Sequence, residues 1–141
     1  MTIDEIINKT QEAIQKISDT NSSIWGTTEW NICHHLACGL KKLFENFDVD
    51  VELEKIDRRR PDIVIHKRGN NKKNLVVFQV KKCPTTQDII GDIEEIEETF
   101  FRKPYLYEFG FFVSIGQLPK KLPRFNSDKI KIMEVYGWKI T

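Results

Sequence analysis

The segment RRRPDIVIHKRGNNKKNLVVFQVKK, which occupies residues 58–82, predicts a β-hairpin. Two runs rich in Val, Ile and Phe, residues 61–66 and 74–80, flank a polar break at residues 69–72. Strand-forming residues on both sides of turn-forming residues are typical of a hairpin. If the four residues of the break form the loop, Asp62 in the first strand falls opposite Gln79 in the second.

The polar residues inside these apolar runs predict a site at the open end of the hairpin. Asp62 begins the first run, and Gln79 and Lys81 end the second. Gln79 and Lys81 are two residues apart, so on a strand they point to the same face. An acid, an amide and an amine are therefore expected to converge there.

Length and composition predict one globular domain over residues 1–141, since 40% of the residues are apolar and 30% are charged. No apolar run is long enough to span a bilayer, so no membrane role is expected. The first residues, MTIDEIINKT, are acidic and amphipathic, unlike a secretory signal, which favours a cytoplasmic location. Three cysteines without a CxxC pair argue against disulfides and thiolate zinc sites, and we expect them to be buried free thiols.

The net charge of +1 conceals a segregation along the chain. Residues 55–82 hold ten Lys or Arg and two Asp, whereas residues 83–101 hold six Asp or Glu and no Lys or Arg. A basic segment of this kind suggests a polyanionic partner such as nucleic acid, although charge runs are more often solvated faces.

The rest of the chain predicts a mixed α/β fold. Ile residues at helical spacing after the Thr2/Glu5 capping-box pattern predict a first helix that ends near Ser18. Thr27 is the expected N-cap of a second helix, whose apolar side includes Trp30. Alternation over residues 48–56 predicts a strand. After the hairpin come a third helix with its carboxylates opposite an Ile stripe, a buried strand at 106–115, a loop at 118–127 and a last strand at 129–140. The expected fold is a mixed central sheet flanked by helices.

A strand-borne Asp followed by a strand ending in an acid or amide, any residue and Lys resembles the PD-(D/E)XK nuclease superfamily. The motif here is Pro61-Asp62 and Gln79-Val80-Lys81. The superfamily's restriction-endonuclease-like core has the order helix, three strands, helix, strand, which matches residues 27–115, about two thirds of the chain. The resemblance implies this core with one extra N-terminal helix.

The resemblance also implies a role for each motif residue. Asp62 would be the central ligand of Mg²⁺ or Mn²⁺, and the backbone carbonyl of Val80 would be another. Lys81 would orient the attacking water and stabilise negative charge. Hydrolysis of a phosphodiester needs such a hard cation, which oxygen ligands select.

Gln79 departs from the family pattern, which usually has Asp or Glu at this position. An amide oxygen can coordinate an ion but brings no charge, so Asp62 and Gln79 together offer a single negative charge. Many superfamily members carry a Glu on the helix before the first strand, and Glu29 is in the matching place. Gln at this position also occurs in the Mrr-like branch, whose members are regarded as nucleases.

Candidate nucleic-acid contacts are expected beside these residues. The triplet Arg58, Arg59 and Arg60, together with Lys67, Lys72 and Lys73, could hold backbone phosphates. His34, five residues after Glu29, could contact phosphate at the mouth of the site, and Lys82 follows the motif lysine.

Each of these residues also has a structural interpretation. Asp62 could be a turn residue at a strand start, and Lys81 and Lys82 could be ordinary solubilising charges. Glu29 could serve only the macrodipole of its helix. The basic triplet could be a solvated edge.

The sequence therefore predicts a metal-dependent nuclease acting on nucleic acid, with DNA favoured, that could work as a homodimer to cut both strands. The alternative is a nuclease-fold module with a degenerate site that binds nucleic acid or a protein partner. Gln79 and the acidic third helix favour this alternative.

Overall fold

In a computed structural model, which describes residues 1–52, 61–69, 71–125 and 127–135, a five-stranded mixed sheet carries helices on both faces. The helices are α1 (Ile3–Asn21), α2 (Glu29–Leu43) and α3 (Thr86–Glu95), and the strands are β1 (Asp48–Val51), β2 (Ile63–His66), β3 (Val76–Lys82), β4 (Phe109–Ile115) and β5 (Ile130–Val135). A short 3-10 helix (Ser22–Gly26) follows α1, a second one (Asn71–Lys73) precedes β3, and a π-helical turn (Ile96–Phe100) extends α3. The mixed α/β class and the element order agree with the sequence prediction.

The strands lie side by side in chain order, β1-β2-β3-β4-β5. β2 pairs antiparallel with β1 and with β3, whereas β4 pairs in parallel with β3 and with β5. Parallel neighbours need a crossover connection, and α3 provides it between β3 and β4. The motif strands β2 and β3 are therefore at the centre of the sheet.

Each face of the sheet has its own apolar cluster. Alternate residues of the central strands, such as Ile63, Phe78 and Phe111, pack under α1 and α2. The intervening residues, such as Val64 and Val77, pack against α3. This alternation follows from the two-residue period of a strand, and it determines which helix each polar motif residue meets.

Local signals explain where the helices begin. The Thr2/Glu5 capping box is present at α1, and a second box, Thr85/Asp88, begins α3; each satisfies two backbone groups at the helix start. The predicted N-cap of α2 was wrong by one residue, since the Thr28 side chain accepts the hydrogen bond from Asn31 N at 3.2 Å. Glu29 is consequently the first residue of α2.

Two further expectations are corrected. Trp30 is 57% exposed, and the buried side of α2 begins only at Ile32 and Cys33. Cys33 is buried, but Cys38 and Cys83 are exposed.

The ends of the predicted strands at residues 53–56 and 136–140 lie outside the described residues. None of the helices in the described ranges combines the length and hydrophobicity needed to cross a bilayer.

Candidate active site

Asp62 and Gln79 meet at the open end of the hairpin. In the β2–β3 ladder Ile63 pairs with Phe78 and Val64 with Val77, and one step outward the same register places Asp62 opposite Gln79, as predicted. The predicted four-residue loop was wrong, because β2 ends at His66 and β3 begins only at Val76. Asp62 Oδ2 accepts a hydrogen bond of 2.7 Å from Val80 N. This bond anchors the carboxylate beside the backbone of the motif strand.

Gln79 and Lys81 lie on the α3 face of the sheet. Their neighbours Phe78 and Val80 belong to the cluster under α1 and α2, so strand alternation turns Gln79 and Lys81 the other way. Gln79 is only 5% exposed, and within the described ranges its side chain has no hydrogen-bond partner. An amide with so little access to water and no partner among the described residues is suited to a ligand.

Glu29 approaches β3 from the helix on the opposite face. Its Oε1 accepts a hydrogen bond of 3.2 Å from Lys82 N, and Lys82 Nζ donates to the carbonyl of Thr27 at 2.8 Å. These two bonds join the start of α2 to the end of β3. Glu29 does reach the open end of the hairpin, but one of its oxygens holds the backbone of Lys82.

Asp92 is a further carboxylate at this end of the hairpin, and sequence reasoning missed it. It is half-buried on α3, and its charge acts on Asp62. A signal for it exists in the sequence: Asp88, Asp92 and Glu95 follow helical spacing, each one residue before a buried Ile of α3 or of the π-helical turn that extends it. All three are half-buried at the flank of the Ile stripe, so the expectation that the α3 carboxylates lie opposite it was wrong for them.

Burial and mutual repulsion make these carboxylates hard to ionise. Burial is the main cause that raises the pKa of Asp62 to about 6; the Val80 N–H and Lys81 oppose the rise, while Asp92 and Glu29 add to it. Burial likewise raises the pKa of Asp92 to about 6, with Lys81 as the opposing charge and Glu95, Asp88 and Glu29 reinforcing it. The folded protein therefore concentrates more negative charge here than Lys81 balances.

Cys33 of α2 lies close to the same group of carboxylates. Burial raises the pKa of the Cys33 thiol, and the charges of Asp62, Glu29 and Glu52 raise it further. A thiol in this environment stays protonated at neutral pH and is not a reactive nucleophile. Cys33 is thus a buried packing residue near the carboxylates.

The predicted phosphate contacts that the structure describes on the hairpin, Lys67, Lys72 and Lys73, lie away from this end. Arg58, Arg59 and Arg60 lie outside the described residues. Lys67 is at the turn end of β2, about 17 Å along the strand from Asp62 at roughly 3.3 Å per residue, and its Nζ lies 5.5 Å from the centre of the Phe47 ring. Lys72 and Lys73 are also at the turn end, in the 3-10 helix before β3.

His34 and Lys82 are on the α2 side of the site. The rings of His34 and Trp30 meet edge to face with their centroids 4.0 Å apart, so His34 is next to the exposed Trp30. Lys82 is occupied by the Thr27 carbonyl. Both residues are near the start of α2, where Glu29 is, rather than on the Lys81 face.

The donor set for a metal ion is limited. Within the described parts of the chain, no three His, Cys, Asp or Glu side chains are grouped closely enough to hold one ion. An ion here would therefore be held by fewer carboxylates together with neutral oxygens, such as the Gln79 amide and the Val80 carbonyl. Hard oxygen donors of both kinds are compatible with Mg²⁺ or Mn²⁺.

A groove elsewhere on the molecule is not lined by these residues. This groove lies between α1 and β5 and is lined by residues such as Gln11, Ser18 and Met133. It includes neither the motif residues nor Asp92. Its size alone does not make it a site, because it lacks a cluster of groups that could do chemistry.

Comparison of the chain with models of protein families, with curated proteins and with solved structures gave no match.

Proposed function

We propose that the chain is a metal-dependent endonuclease that hydrolyses phosphodiester bonds in DNA. The observation that carries this proposal is the arrangement at the hairpin end. Asp62 is anchored by the Val80 N–H at 2.7 Å, Gln79 lies opposite it, and Lys81 follows on the same face as Gln79. Apart from Gln79, which replaces the usual Asp or Glu, these are the residue types of the PD-(D/E)XK motif, and they lie at neighbouring positions.

The connectivity supports the same proposal. After α2 come three antiparallel strands, then α3, then a strand that adds in parallel to β3. A restriction-endonuclease-like core has this order, with α1 as an N-terminal addition. Because unrelated activities share folds, the motif residues carry more of the argument than the connectivity does.

Each residue of the proposed site would have a separate role in phosphodiester hydrolysis. A bound Mg²⁺ or Mn²⁺ would polarise the phosphoryl oxygen and lower the pKa of the attacking water. Asp62, the Gln79 amide oxygen and the Val80 carbonyl would hold that ion. Lys81 places a positive charge on the same face, where it stabilises the negative charge that develops on the phosphoryl group.

Activity in the presence of divalent cations tests the proposal. We expect nicking or linearisation of supercoiled plasmid that depends on Mg²⁺ or Mn²⁺ and is abolished in Asp62→Ala and Lys81→Ala. Asp128→Ala and Lys120→Ala are matched controls, because both residues are exposed in loops. Cleavage that persists in both motif variants would exclude the assignment, and linear product at early times would indicate a dimer with two sites.

The second candidate is a nuclease-fold module with a degenerate site, and the neutral Gln79 is the observation that favours it. Titration calorimetry with Mn²⁺ separates the two candidates. A degenerate module shows no ion binding that depends on Asp62, but it still retains nucleic-acid or protein binding. A weakened but genuine metal site binds Mn²⁺ and binds it more tightly after Gln79→Glu.

A further inference from the structure

We propose that Asp92 of α3, rather than Glu29 of α2, supplies the second carboxylate of the cation site. The inference rests on the proposed function and specifies which residues complete the site. The underlying problem is charge: with Gln79 neutral, Asp62 alone gives a divalent ion one negative charge.

The faces of the sheet favour Asp92. Gln79 and Lys81 project from β3 toward α3, as the alternation with Phe78 and Val80 requires. Asp92 is on that helix, immediately before Ile93, which packs in the α3 cluster. Asp92 and the Gln79 side chain are therefore on the same side of the sheet, whereas Glu29 approaches from the other side.

The hydrogen-bond partners of the two carboxylates, Glu29 and Asp92, also favour Asp92 as the ligand. Glu29 already accepts a hydrogen bond from Lys82 N, and this bond ties α2 to β3. Asp92 is half-buried, and across the described residues its carboxylate has neither a hydrogen bond nor an ion pair within 4 Å. A half-buried carboxylate without a partner is costly, so an ion that paired with Asp92 would remove this cost.

Gln79 provides an independent indication of a ligand at this position. The residue is only 5% exposed, and none of the described groups forms a hydrogen bond with its amide. An ion between Asp62 and Asp92 would give the amide oxygen a partner. Two carboxylates, one amide and one carbonyl also agree with the lack of a three-carboxylate group in the described ranges.

Calorimetry of Mn²⁺ binding to the full chain tests the inference without relying on activity. We expect Asp92→Asn to weaken Mn²⁺ binding at least tenfold, comparably to Asp62→Asn. Glu94→Gln is the matched control, because it removes an exposed carboxylate from the same helix and should change affinity less than twofold. Glu29→Gln should also keep most of the affinity, because its role is to hold Lys82 N.

A compensating change makes the test specific for charge. In the Asp92→Asn background, Gln79→Glu restores the second negative charge on the same face, and we expect it to recover most of the Mn²⁺ affinity. Urea denaturation of each variant checks that the fold is intact. A merely structural role for Asp92 would not be rescued in this way.

The outcomes are distinguishable. If Asp62→Asn abolishes Mn²⁺ binding while Asp92→Asn binds like the unmodified chain, the inference is overturned and the proposed function survives. If Glu29→Gln causes the larger loss, Glu29 is the second carboxylate and the inference is again overturned. If the unmodified chain binds no Mn²⁺, both the inference and the proposed metal-dependent function fail.

Discussion

Replacing Asp62 by Asn should stabilise the metal-free protein at neutral and alkaline pH while destroying its site. The pKa of Asp62 is raised from 3.8 to about 6, and one pKa unit corresponds to about 1.4 kcal/mol. Ionising Asp62 in the folded protein therefore costs about 3 kcal/mol, which partial exposure of the carboxyl reduces to about 2 kcal/mol. Asn removes the charge and keeps an oxygen that can accept the Val80 N–H.

The sign of the pH dependence follows from the direction of the shift. The folded state holds the Asp62 proton more tightly than the unfolded state does, so the protonated group contributes stability fully below about pH 4. This contribution is lost as the pH rises from about 4 through about 6. Asp92 acts in the same direction, because its pKa is also raised to about 6.

Urea denaturation in EDTA at pH 4.5 and pH 8 measures the effect. At pH 8 we expect Asp62→Asn to be more stable than the unmodified chain by about 2 kcal/mol, and at pH 4.5 we expect the difference to be much smaller. Asp128→Asn, at an exposed turn position, should show no such pH dependence. The reasoning would be refuted if Asp62→Asn were less stable at pH 8, or if its effect were equal at both pH values.

Adding Mn²⁺ should reverse the order of stability. An ion at a hundredfold excess over its Kd stabilises the folded state by about 2.7 kcal/mol, and this gain needs the Asp62 carboxylate. The unmodified chain should therefore gain stability with Mn²⁺, and Asp62→Asn should not. The residue would then be one that costs stability in exchange for function.

Two further substitutions test other parts of the structure. Lys81→Gln removes the charge that lowers the pKa of Asp62 and Asp92, so both pKa values should rise in an NMR titration. Cleavage should fall by about 10²–10³-fold. Unchanged pKa values would contradict the assigned position of Lys81. Gly110→Ala places a Cβ 2.5 Å from Ile96 Cγ2 and should cost about 1–3 kcal/mol in urea denaturation, because it pushes the π-helical turn that extends α3 away from β4. Gly91→Ala is its control, because nothing lies within 4 Å of the new Cβ. Ala at this helix position should raise the free energy of unfolding by up to about 1 kcal/mol. Equal stability of the two variants would show that α3 and its π-helical turn do not pack as described.

Local sequence determined the elements and the register of the hairpin. Two-residue alternation identified the strand faces, and counting outward from the turn residues placed Asp62 opposite Gln79, in agreement with the register of the ladder. The loop itself is longer than predicted, because a 3-10 helix lies between β2 and β3. The capping box at Thr2 predicted the start of α1 for the same reason, since it involves residues only three apart. Such signals act over a few residues and can be read without knowing the rest of the chain.

Tertiary structure decided what surrounds that hairpin end. The sequence shows that α2 and α3 each have an apolar stripe, but their assignment to opposite faces depends on the parallel pairing of β3 with β4, more than twenty-five residues apart. With α3 on one of these faces, Asp92 lies on the side of Gln79, whereas Glu29 of α2 accepts a hydrogen bond from Lys82 N. Trp30 is exposed, although its spacing matches the apolar stripe of α2. The motif residues were therefore recognisable from local sequence, whereas Asp92, the proposed second carboxylate, became visible only when the helices were packed on the sheet.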